Sequence, residues 1–188
     1  KGQLSVSGNY QLECKEEVGN GELTYTHNEG YLIMQYDEDL MEVGKTFTYD
    51  TGGTGNILSA GTMKVSGDFI QKKTDYSGGF ECSGTHRVVF NGTSQQKVSM
   101  ASFENYFNEL ELQNTNITFS KYLEISKLVG DGEANSDNVI LKKIGLNGHD
   151  LHLKGDVVIV DDIDLQEGKL EVSGNVWHTD GAITFNKG

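Results

Sequence analysis

The stretch VDDIDLQEG (160–168) carries the densest set of chemically capable side chains in this 188-residue chain. Hydrolysis of a glycosidic bond needs two or three carboxylates converging on one face, and the run offers Asp161, Asp162 and Asp164. If Ile163 and Leu165 point inward, Asp162 and Asp164 face outward at neighbouring positions, which makes them the carboxylate candidates. A solvated turn uses the same residues equally well. No second carboxylate pair with a matching His or Arg accompanies them, and Arg87 is the only arginine, whereas lyases of uronic acids want several cations in the groove.

Other chemistry is thinner. Asn9, Asp68, Asp156 and Asn175 recur beside glycines, where a ladder of oxygens could hold calcium. The calcium-binding signature GGxGxDxUx is absent, so stacked side-chain hydrogen bonds are the simpler use. His27, His86, His149, His152 and His178 do not cluster, which argues against zinc. There is no GxSxG and no Cys/His pairing. Cys14 and Cys82, the only cysteines, fall roughly 14 Å apart in the register derived below, beyond disulfide reach. They are expected as buried free thiols. The sequence thus assigns no catalytic, cofactor-binding or metal residue, and the expectation is a protein without enzymatic activity or cofactor.

The elements that position these residues are announced by repetition. GQLSVSGN (2–9), GTMKVSGD (61–68) and GKLEVSGN (168–175) are near copies, joined by DLHLKGDV (150–157) and by LMEVGKTF (40–47), where Lys45 stands in the glycine corner. Weaker copies place anchors at Tyr25, Phe90, Leu112 and Val129. With Val6, Val43, Val65, Leu153 and Val172 the mean spacing is about 21 residues. In each copy two apolar residues alternate with polar ones, a polar-glycine-polar corner follows, and alternation resumes. That is strand, corner, strand, the glycine supplying a conformation that a Cβ would penalise.

Units this small bury their apolar face only by stacking. Stacking aligns Leu4, Met41, Met63, Leu151 and Leu170 in one internal file, Val6, Val43, Val65, Leu153 and Val172 in a second, and Tyr10, Phe47, Phe69, Val157 and Val176 in a third. The expected fold is all-β, a right-handed parallel β-helix (β-solenoid) of about nine rungs in a single domain, 1–188, handedness following the general crossover preference. An antiparallel sandwich also uses short strands but does not need the corner in register. SMASFENYFNEL (99–110) reads as a loop across the rungs rather than a helix.

Outside the barrel of side chains, Glu42 and Lys64 become cross-strand neighbours. Val158 and Trp177 fall on consecutive rungs and both face out, forming either a ligand platform for a neutral glycan or a seam covered by a further part of a longer protein. With 24 glycines, no proline and a formal charge of −13, the chain repels nucleic-acid phosphates and anionic lipid. No apolar run is long enough for a membrane span, and the opening KGQLSVSG reads as strand rather than as a signal peptide.

The segments GYLIMQYDEDLMEVGKTFTYD (30–50), GTMKVSGDFIQKK (61–73), GTHRVVFNGTSQQKVSM (84–100), FNELELQNTNITFS (107–120) and IGLNGHDLHLKGDVV (144–158) resemble the glycine-rich β-helical repeats of very large secreted or cell-surface proteins of Gram-positive anaerobic bacteria. The resemblance implies an extracellular, adhesin-like structural scaffold and carries no catalytic residue with it. The expectation is therefore a non-enzymatic segment of a bacterial surface protein. Its partners would be adjacent segments of the parent protein, a host or cell-wall glycan, or another copy end to end. A carbohydrate-binding module is the first alternative and a polysaccharide-degrading β-helix enzyme the second.

Overall fold

A computed structural model describes residues 2–8, 10–13, 15–17, 26–28, 32–50, 57–72 and 79–185, the segments 10–13, 15–17 and 26–28 by backbone alone. The described strands wind as a parallel β-solenoid of about six turns, with no helix among them. The first face stacks Gln3–Val6, Leu40–Val43, Thr62–Val65, Arg87–Phe90 and Phe107–Leu112 in parallel register. It resumes with Gly132–Asn135, Leu151–Lys154 and Leu170–Val172. Beyond the corner a second face stacks Tyr10–Glu13, Phe47–Asp50, Phe69–Gln71 and Gln96–Met100.

The rungs keep the register the repeats predict, although Leu4 and Val176 are exposed rather than internal. Leu4 pairs with Met41 and Met41 with Met63; Val6, Val43 and Val65 follow the same path. Leu153 meets Val172, Tyr10 meets Phe47, and Val157 meets Val176. A third, shorter face closes the coil through Met34, Leu58 and Cys82 and later through Ile125, Ile144, Ile163 and Ile183.

Nine rungs are not recovered. Thr26–Asn28 pairs antiparallel with Lys15–Glu17 in a separate two-stranded sheet, so the copy anchored at Tyr25 adds no coil. Between Leu112 and Leu153 the anchor is Ala134, which pairs with Leu153. Val129 instead sits at a bend, its N–H donating to the Leu110 carbonyl.

The corners keep glycine for a reason other than the one expected. Among Gly44, Gly67, Gly92, Gly155 and Gly174 only Gly155 has a left-handed φ, +134°. A Cβ at Gly67 would lie 2.4 Å from the Lys45 carbonyl carbon, and one at Gly92 2.3 Å from the Ser66 oxygen. Close approach of the preceding rung decides these positions. Gly8, in the first rung, would meet nothing within 4 Å.

The core changes character along the axis. In the earlier coils Phe69 stacks on Phe47 at 5.2 Å and meets Phe80, Phe90 and Phe107 edge-on. Later coils replace the rings with Leu141, Ile144, Leu151, Leu153, Val157 and Ile163, all fully buried. The 99–110 segment is no helix. Asn105 within it buries its amide, accepting the Phe80 N–H at 2.6 Å and donating to Ser102, and Phe107 already belongs to a rung.

Candidate functional site

The outward side chains inherit the rung spacing, so each candidate reduces to which residues the ladder sets side by side. Glu42 and Lys64 pair at 3.2 Å, as neighbouring rungs require. Ile163 is buried and Leu165 nearly so, which turns Asp162 and Asp164 outward. Their carboxylates take separate partners: Asp162 accepts the Ala182 N–H at 2.9 Å, and Asp164 accepts the Gln166 amide at 2.7 Å.

The corner carboxylates bind the next rung. Asp68 accepts the Lys97 N–H at 2.7 Å, and Asp156 accepts both the backbone and side-chain amides of Asn175. Asp131 and Asp150 repeat the motif towards Asp150 and Lys169. Each such bond satisfies an N–H that the turn leaves unpaired. Asn9 lies outside the described residues. No group of three or more His, Cys, Asp or Glu arranged for a metal occurs among the described residues.

Val158 and Trp177 are register partners, with Trp177 49% exposed. Val176 and Ile183 are also exposed, although Val157 and Ile163 in the same files are fully buried. The last described coil therefore shows to solvent apolar positions whose equivalents are buried in the coil before it. Cys82 is a buried free thiol whose pKa burial pushes far up; Cys14 and the His27 side chain lie outside the described residues.

One site escaped the sequence reading, and of a second it gave only the outward neighbours His152 and Glu171, without Glu133 or Ser173. His86 is buried in the core beside Phe80, and neither ring nitrogen has a hydrogen-bond partner. Its inward phase with Val88 and Phe90 was the available signal. The second lies on the first face, where Glu133, His152 and Glu171 occupy one outward file. His152 Nε2 stands 2.7 Å from Ser173 Oγ, and its Nδ1 is 3.6 Å from Glu133. Lys154 pairs with Glu133 and Lys169 with Glu171. A groove of about 260 Å³ runs beside them, lined by Leu112, Leu151, Glu133, His152 and Glu171 among others.

No protein-family profile, curated protein or solved structure matches this chain.

Proposed function

We propose that the chain is a segment of a rigid extracellular scaffold in a bacterial surface protein, a right-handed rod that projects or carries adhesive modules. The observation that carries this reading is the ladder itself. Parallel strands from Gln3–Val6 onward hand their hydrogen bonds to the next coil with like side chains in register, so added length costs little and presents few open backbone groups. The acidic surface suits a soluble rod. The exposed Val176 and Ile183 suit docking of an adjacent segment or another copy. The test is antibody detection on intact cells of the source organism before and after surface proteolysis. Signal on intact cells that the protease removes supports the reading; signal only after lysis overturns it.

A second reading rests on Trp177, whose exposed ring beside Val158 offers a flat apolar platform to a neutral sugar. Titration of the tryptophan fluorescence with neutral oligosaccharides tests it. Saturable quenching supports binding there, and a flat titration removes this reading without touching the first.

A further inference from the structure

Glu133, His152 and Ser173 come from three consecutive passes of the chain across the first face. Hydroxyl, imidazole and carboxylate line up on opposite ring nitrogens: Ser173 Oγ at Nε2, 2.7 Å away, and Glu133 at Nδ1, 3.6 Å away. In this order a base activates a weak nucleophile while a third group orients the base. At 3.6 Å Glu133 is an ion-pair neighbour of Nδ1 rather than a hydrogen-bond acceptor; in the proposed site it closes on an Nδ1 hydrogen, which leaves Nε2 free to take the serine proton.

The strand ladder holds all three. Glu133 and His152 are direct register partners, as are Leu153 and Val172. The Ser173 N–H donates to the Leu153 carbonyl at 3.0 Å, fixing the backbone from which Oγ turns back to the ring. A hydrogen bond from Lys154 holds the Glu133 carboxyl below the usual carboxylate range, so it stays anionic near neutral pH. Asp131, Glu133, Asp150 and Glu171, with the single cation Lys169, line the groove beside His152 and give it a net negative charge that repels anions, while Ser173 itself stands outside that lining.

We propose that Ser173 and His152, with Glu133 positioning the imidazole, form a nucleophilic hydrolase site for short, uncharged acyl esters, such as acetyl groups on a neutral alcohol or sugar. This goes beyond the scaffold reading and departs from the expectation of a chain without enzymatic activity. Ser173 Oγ bonds to the ester carbonyl carbon as its proton passes to His152 Nε2. The carbon–alkoxy bond breaks, and the alcohol departs with that proton. Water then attacks the acyl carbon, gives a proton to Nε2, and releases the carboxylic acid as the proton returns to Oγ. Glu133 offsets the imidazolium charge in both halves.

The test uses the full chain, p-nitrophenyl acetate as substrate and a fluorophosphonate as covalent probe, with peptide mapping of the labelled residue. Labelling at Ser173 is expected, with hydrolysis falling on the order of 100-fold in Ser173→Ala and His152→Gln and unchanged in His178→Gln. Glu133→Gln should lower kcat roughly 10-fold with KM nearly unchanged, with Glu133→Asp restoring part of the loss. Melting curves confirm that each variant is folded. Hydrolysis that survives Ser173→Ala, or labelling no greater than in the denatured chain, overturns the proposal and leaves a surface hydrogen bond only.

Discussion

Acidification should destabilise this solenoid through one residue in its core. His86 is fully buried against Phe80, with no hydrogen-bond partner on either ring nitrogen, and burial lowers its pKa from 6.5 to about 4. The unfolded chain takes up the proton below pH 6.5, and the folded chain only below about 4. Stability therefore falls as pH drops through that window and the full cost is reached below it. The gap corresponds to about 3 kcal/mol in all, of which about 2 kcal/mol is lost between pH 7 and pH 5. Urea unfolding of the wild type and of His86→Leu at both pH values isolates this contribution, because ordinary carboxylate titration is common to the two. The variant should be at least as stable at pH 7, since it removes two unsatisfied buried polar atoms. It should also lose about 2 kcal/mol less on going to pH 5. Equal losses in the two proteins would show that His86 is not held neutral in the core.

Gly67→Ala drives a Cβ to within 2.4 Å of the Lys45 backbone and should cost about 1–3 kcal/mol by overpacking, while Gly8→Ala meets open space and should be within about 0.5 kcal/mol of wild type; chemical unfolding compares them. Phe69→Ala removes the ring that four other phenylalanines contact and should cost about 3–5 kcal/mol in the same assay. Glu109 accepts hydrogen bonds from both Arg87 and Lys127, so Glu109→Gln should lose about 2 kcal/mol, most of it recovered in a background where Arg87 and Lys127 are already neutral.

Much of the stacking was legible because a parallel coil lays equivalent residues on one another. A glycine corner between alternating strands fixes phase as well as period, and Val43 on Val65 or Leu153 on Val172 follows directly. The copies at Tyr25 and Val129 misled because alternation alone does not name a partner: Thr26–Asn28 satisfies its strand bonds with Lys15–Glu17. The third face was hidden because its strands are brief, often one inward residue such as Leu58 or Cys82 between turns. Side-chain bridges across the corners were hidden too. Near Asn91-Gly92 the buried Gln96 amide ties the Gly92 N–H to the carbonyls of Val65 and Gly67, which no local pattern announces. At the outward sites the sequence placed Val158 beside Trp177, but Ser173 reaches His152 from a corner rather than from the facing strand position, and only side-chain geometry reveals that approach.

Whether successive coils lie in order along one axis is directly measurable by spin labelling. In a background with Cys14 and Cys82 replaced, a nitroxide at Ser5 is paired in turn with one at Glu42, Lys64 or Glu111, which lie one, two and four rungs on in the outward file. Continuous-wave broadening and pulsed dipolar spectroscopy should give separations rising by about 4.8 Å per rung, from about 5 Å to about 19 Å. A Ser5–Glu111 separation no longer than Ser5–Glu42, or any reversal of that order, would contradict the coil.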